Sequence, residues 1–364
     1  MHEATQTITL LSAIPAFSSD WCQAWLGSNP KRVRSRIGQL VRRIRKTERL
    51  GGPLSVQRNL VHGLRRAGYP FMVNPPVHKV TRLVGVLSNV DALKWAIKAK
   101  RQGRIDILVA GPNVVSVPEE EGGVIEQSEI DTFLVPSRWA YDGWIAQSEK
   151  LRGRIAIWPA GVDTEFFKFT SRKKTTLKCL IYEKAPHGNL RSFVESELTR
   201  RGIPFIILRY GFFAPLEYKD ALEECSFMIY LRRIETQGLA LHEAWSCDIP
   251  TLIWDPGYEI YQDLFIKGEL NAPYMVENCG LRFKGVEDFP DVLTKFLEKV
   301  AKGSFAPRVT QLEHFTPEKT AQMYAEIFTC SRRKAVFTTA RDFSHITYMR
   351  KGTRDLYSGG RQRV

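Results

Sequence analysis

"SFMIYLRRIETQGLALHEAWSCDIPTLIWD", residues 226–255, reads as a strand, a glycine turn, a helix and a second strand. SFMIYL is a short run of apolar and aromatic residues, the composition of a strand buried on both faces. Residues 232–237 form a polar loop, Gly238 turns the chain, and a helix is predicted from about Leu239 to Ser246, stopped by Pro250. Two glutamates, Glu235 and Glu243, stand in this segment with seven residues between them. Glu235 falls at the carboxyl end of a strand, where open α/β sheets bind ligands, and Glu243 falls about one turn into the helix. The amides of Gly238, Leu239 and Ala240 would be the unpaired donors of that helix N-terminus, suited to a diphosphate. Gly238 has no side chain to block the approach, and Ala240 and Ala244 predict close packing of helix on sheet. A carboxylate at Glu243 can accept both hydroxyls of a ribose, while Glu235 can reach the hydroxyls of an attached sugar. The plainer reading is an amphipathic helix with a carboxylate on its wet side.

The same alternation runs through most of the chain. TITLLSAIP reads as a strand, and after a basic insertion GGPLSVQRNLVHGLRRAG reads as a glycine turn and a helix, with Leu60, Leu64 and Ala67 on its apolar face and a stop at Gly68. RLVGVLSN, IDILVAGP, DTFLVPS and RIAIWPAGVD are further strands, and VDALKWAIKAKRQG is a helix. The polar run TSRKKTT, residues 170–176, reads as a linker, after which the pattern restarts with LKCLIYEK, NLRSFVESELTRRG, IPFIILRYG and PLEYKDALEEC. Two such runs predict an α/β protein of two Rossmann-like domains facing across a cleft. The expected division is 1–168 for the N-terminal domain, with a basic helical insertion at about 17–50, and 169–312 for the C-terminal domain. A helix at 313–330 then packs back on the N-terminal domain, and a basic tail occupies 331–364.

The segment IETQGLALHEAWSCDIPTLIWD resembles the E-x7-E region of GT-B glycosyltransferases of the group 1 (family 4-like) kind. FLVPSRWAYDGW followed by IAIWPAGVDTEFF is similar to the end of that family's N-terminal domain, where a Val-Pro-Ser strand precedes a helix and then Gly-Val-Asp. The resemblance is good over residues 131–255 and holds only in outline elsewhere. It implies a GT-B fold and sugar transfer, of the hexosyltransferase type, from a nucleotide-diphosphate sugar, with no further cofactor. It implies that Glu235 contacts the donor sugar and Glu243 the ribose. It also implies a basic residue after the first strand of the C-terminal domain, bound to the diphosphate; Lys184 stands there, although the family's Gly-Arg and Lys-Gly are absent and HGN follows at 187–189. Gly51 and Gly52 match the family's glycine loop facing the donor phosphates. Where many relatives carry a histidine, this chain reads VAGPNVVSVP, with Asn113 as the obvious polar substitute on the acceptor side.

Sugar transfer leaves negative charge on the departing phosphate, which the site must neutralise. No Asp-x-Asp occurs anywhere in the chain. A metal-independent site built from helix amides and Lys184 is therefore expected, and the resemblance favours retention of anomeric configuration. The seven histidines show no metal-ligand spacing, and neither a G-x-S-x-G nor a phosphate-binding P-loop motif is present.

At 364 residues, 43% hydrophobic and 25% charged, the chain is long enough for two globular domains. Six dispersed cysteines indicate neither a disulfide framework nor a zinc site and fit a reducing cytoplasm. No secretory leader pattern and no apolar run long enough for a membrane span is found. The net charge of +14 is concentrated. Residues 31–50 hold nine basic residues and one acid, and residues 331–364 hold nine and two, so the rest is close to neutral. In KRVRSRIGQLVRRIRKTERL, Val33, Ile37, Leu40, Val41 and Ile44 share one helical face and arginines fill the others, the pattern of a basic amphipathic helix. With Trp21 and Trp25 before it, such a helix fits an anionic membrane surface at the inner face, and the acceptor would then be a lipid-linked or envelope glycan. Nucleic acid is the other partner this charge suits, which leaves open a nucleic-acid-directed glycosyltransferase or a non-catalytic basic binding protein on a GT-B scaffold. The tail's Gly-Gly and lack of periodicity predict partial disorder.

Overall fold

The computed structural model describes residues 6–20, 51–168, 177–184, 188–261, 264–332 and 346–350. The expected basic helix at 31–50, the run 170–176 and most of the basic tail lie outside the described residues.

The N-terminal half alternates strands and helices: β1 (Ile8–Leu11), α1 (Gly52–Arg66), β2 (Phe71–Val73), β3 (Leu83–Ser88), α2 (Val90–Arg101), β4 (Ile107–Asn113), β5 (Thr132–Val135), α3 (Arg138–Gln147) and β6 (Ile155–Ile157). Its six strands form one parallel sheet in the order β2-β1-β3-β4-β5-β6. The central strands are largely apolar because both faces are covered, whereas the edge strand β2 is only partly buried. Val84 and Val86 of β3 pack with α2 and α3, whereas Leu83 and Leu87 pack with α1.

The C-terminal half repeats the plan with β7 (Cys179–Glu183), α4 (Leu190–Arg200), β8 (Phe205–Arg209), α5 (Pro215–Glu224), β9 (Phe227–Leu231), α6 (Leu239–Ser246) and β10 (Thr251–Trp254). A hairpin of β11 (Tyr258–Tyr261) and β12 (Leu264–Gly268) intervenes before β13 (Gly280–Phe283), α7 (Phe289–Ala301) and α8 (Pro307–His314). The second parallel sheet runs β13-β10-β9-β7-β8. In both sheets the strand order reverses between the first and third strands, and the crevice beyond the carboxyl ends at such a switch point is where α/β sheets bind ligands. Two doubly wound sheets of this kind, facing each other, make the GT-B architecture.

The last long helix, α9 (Pro317–Arg332), returns to the N-terminal half and packs along α1. Close approach explains two glycines there. A Cβ at Gly63 would lie 1.9 Å from the Pro317 carbonyl oxygen, and one at Gly85 would lie 2.0 Å from the Tyr324 hydroxyl. The Trp158 indole donates to the Thr320 carbonyl at 2.9 Å and fixes the crossing.

Three details differ from the sequence reading. Ala67 caps α1 in an exposed position, and Val56, Asn59, Leu60, Gly63 and Leu64 form the buried stripe. Ala244 is fully buried against the sheet as expected, but Ala240 keeps partial exposure on a cavity wall. α9 is not the last element: Ile346–Arg350 of the tail forms β14, antiparallel to β12 in a three-stranded sheet β11-β12-β14. Lack of periodicity hid β14 because its partner lies about 80 residues upstream.

Candidate functional site

β7 and β9 are neighbours at the switch point of the second sheet, with Glu183 opposite Leu231. Lys184 and Arg232 are the next residues on each strand, and the Lys184 amide still donates to the Leu231 carbonyl at 3.1 Å. Both side chains line a cavity of about 410 Å³ between the two halves.

Glu235 lines the same cavity, only 7% exposed. Its Oε1 accepts from Lys184 Nζ at 2.6 Å and from the Tyr230 hydroxyl at 2.8 Å. The Lys184 ammonium also lies 4.8 Å from the Tyr210 ring centroid, a favourable cation–π distance. Burial first, and the Glu235 charge second, push the Tyr230 phenol well above its ordinary range, so Tyr230 acts as a donor here.

The loop holding Glu235 is tied to the opposite half. Trp139 Nε1 donates to the Glu235 carbonyl at 2.8 Å. Gln237 bonds Ala160 twice, accepting from its amide at 2.9 Å and donating to its carbonyl at 2.6 Å. The Tyr274 hydroxyl donates to the Pro136 carbonyl at 2.6 Å. The VPSRWAYDGW, WPAGVD and IETQG stretches, far apart in sequence, therefore meet in one place.

Gly238 caps α6 at φ 82°, a left-handed conformation that favours glycine, and its carbonyl accepts from the Leu241 and His242 amides at 2.9 and 3.3 Å. Beyond it lies a second cavity, of about 180 Å³. Gly51, Gly52, Leu239, Ala240 and Glu243 line this one. Pro53 and Thr236, on the other side of the same two helix starts, line the first. The N-termini of α1 and α6, one from each half, thus flank the boundary between the cavities.

The second cavity is walled by aromatic rings. Tyr182 stacks on Tyr230 with centroids 5.1 Å apart, and Phe213 and Tyr218 meet it edge-on at 5.7 and 5.4 Å. Glu243 keeps some exposure on this wall but makes no side-chain hydrogen bond or ion pair among the described residues. Burial without a cation beside it pushes its carboxyl up to about 8.

The residues singled out in the sequence therefore separate into two groups. Glu235, Lys184 and Asn113 line the first cavity, with the Asn113 Nδ2 buried and unpartnered among the described residues. Glu243, Gly51, Gly52, Leu239 and Ala240 line the second, and Gly238 stands at the α6 start near their boundary. Sequence reasoning missed Tyr230, Trp139, Gln237 and Arg232. The signal for the second cavity is the aromatic density of RYGFFAP and LIYEK, which supply Tyr210, Phe213 and Tyr182 to its wall.

The chain has the two-domain GT-B fold, and solved structures share it. WaaB, the lipopolysaccharide outer core galactosyltransferase in apo form, aligns over 90% of this chain and 99% of its own at 12% identity and a TM-score of 0.51. Anabaena HepE, solved in complex with UDP and glucose, aligns over 89% and 100% at 11% identity and 0.53. Sucrose-phosphate synthase from Thermosynechococcus elongatus aligns over 89% and 100% at 10% identity and 0.50. At these identities the likeness is one of fold. No family model and no curated protein matches the sequence. Among the described residues no helix is long and apolar enough to cross a membrane.

Proposed function

We propose that this protein is a glycosyltransferase that moves a sugar from a nucleoside-diphosphate donor to an acceptor hydroxyl, with retention and without a metal. The observation that carries the reading is the pair of cavities divided by two helix N-termini, with one glutamate of the pair on each side. The nucleoside occupies the aromatic cavity with its ribose hydroxyls on Glu243. The diphosphate lies at the divide, where amides and helix dipoles favour negative charge. The sugar enters the larger cavity, where the second carboxylate oxygen of Glu235, free of hydrogen bonds among the described residues, meets its hydroxyls.

As the glycosidic bond to phosphate breaks, Lys184 and the helix amides stabilise the charge on the leaving oxygen. That oxygen takes the proton from the acceptor hydroxyl, so no separate side-chain base is required. Asn113 donates to the acceptor from the N-terminal wall. The basic stretches 31–50 and 331–364 would hold the protein on an anionic surface bearing a lipid-linked glycan.

The test is a screen of UDP-, GDP-, ADP-, CDP- and TDP-sugars by thermal shift, followed by mass spectrometry of products with candidate acceptors. A melting shift lost in Glu243→Ala supports the reading. Indifference of the wild-type protein to every donor contradicts it.

A further inference from the structure

Lys184 is the cation expected to hold the donor phosphates, but its charge is already shared. Its ammonium sits 2.6 Å from the buried Glu235 carboxylate, so the pair contributes little net positive charge to the cavity. A nucleoside diphosphate brings two or more negative charges, which two helix N-termini offset only in part.

Arg232 is the other cation at the switch point. It leaves β9 where Lys184 leaves β7, on adjacent parallel strands, and it lines the same cavity. Its Nε donates to the Ile234 carbonyl at 3.0 Å, and one terminal nitrogen lies 3.5 Å from the Lys184 carbonyl. Both acceptors are neutral, and no carboxylate among the described residues pairs with it. The next residue shows the contrast: Arg233 pairs with Glu259 at 3.1 Å and lies over the Trp254 and Tyr258 rings. A guanidinium has five N–H donors, so Arg232 keeps at least three for a ligand. Its backbone-carbonyl contacts hold the planar group in place without consuming its charge, the condition for two-pronged binding of phosphate oxygens.

Resting on the donor reading above, we infer that Arg232 holds the donor diphosphate and supplies the positive charge that the Lys184–Glu235 pair withholds. Lys184 then positions Glu235 as much as it binds phosphate. Arg232 stands in the polar loop before Glu235, one strand over from the position that the resemblance marks for the diphosphate cation.

The test uses the full chain and isothermal titration calorimetry with UDP, GDP, ADP and TDP and with the matching free nucleosides. Wild type should bind its preferred diphosphate more tightly than the nucleoside. Arg232→Gln should lose roughly ten- to hundredfold in diphosphate affinity, the worth of a charge-assisted contact, with nucleoside affinity and melting temperature unchanged. Arg232→Lys should recover part of the loss. Diphosphate affinity unchanged in Arg232→Gln overturns the inference while leaving the donor reading intact. A parallel fall in nucleoside and diphosphate affinity also overturns it, because the arginine would then only brace the loop. A wild-type protein that binds none of the four diphosphates overturns the donor reading itself.

Discussion

Lys184 Nζ lies 2.6 Å from Glu235 Oε1, and the Tyr230 hydroxyl lies 2.8 Å from the same oxygen. Two donors on one oxygen fix the carboxylate and leave the other oxygen for a ligand. Removing the lysine strands a buried carboxylate with one neutral donor, which costs about 1–3 kcal/mol. Lys184→Met should therefore lower the unfolding midpoint clearly. Glu235→Gln, which keeps the shape and removes the charge, should cost less stability yet abolish transfer. Chemical denaturation of both variants checks this, and a Lys184→Met protein as stable as wild type would remove the pair from the account.

Glu243 carries a pH signature. Its carboxyl is pushed up to about 8 in the folded protein, from an ordinary value of 4.5. Between those values the folded chain holds a proton that the unfolded chain has released, so this group's contribution to stability is full below about 4.5 and is lost as pH rises through about 8. Glu243→Gln should flatten that decline, and its melting temperature should overtake wild type toward pH 8. If ribose hydroxyls donate to the ionised form, nucleotide affinity of the wild type should rise over the same window. Parallel melting curves for the two proteins from pH 5 to 8.5 would contradict the assignment.

Gln237 joins the halves through both atoms of its amide, at 2.9 and 2.6 Å from the Ala160 backbone. Gln237→Ala leaves a buried N–H and a buried carbonyl unpaired, at a cost of about 1–3 kcal/mol. Because the contact also sets the glutamate loop against the N-terminal half, transfer should fall with it. The expected result is a lowered melting temperature together with a rise in KM for the donor. A kinetic change with no loss of stability would show that the amide works some other way.

Much of the strand–turn–helix segment at residues 226–255 was readable because its signals are local: an apolar run, a glycine before a helix, a proline after it. The larger plan was readable for the same reason, since buried parallel strands are apolar throughout. What joins the segments was not. Lys184 and Glu235 are 51 positions apart, and Gln237 and Ala160 are 77 apart, so nothing nearby in the chain marks either contact. The sheet β11-β12-β14 escaped because its hairpin lacks a glycine turn and its third strand comes from the tail. The division of the site into two cavities is a property of two helix starts from different halves, which no single stretch reveals.

The seat of α9 offers a test that needs no substrate. A Cβ at Gly85 would sit 2.0 Å from the Tyr324 hydroxyl and 3.1 Å from the carbon that bears it. That hydroxyl is buried without a hydrogen-bond partner among the described residues. Gly85→Ala should cost about 1–3 kcal/mol, as overpacking in a full core does. Tyr324→Phe should be close to neutral, because it removes a polar group that burial leaves unpaired. The two changes touch, so they should not add: deleting the hydroxyl removes the worst clash, and the double variant should regain much of what Gly85→Ala loses. Urea unfolding of the four proteins measures the coupling. Simple additivity would mean that α9 does not rest on β3 at Gly85.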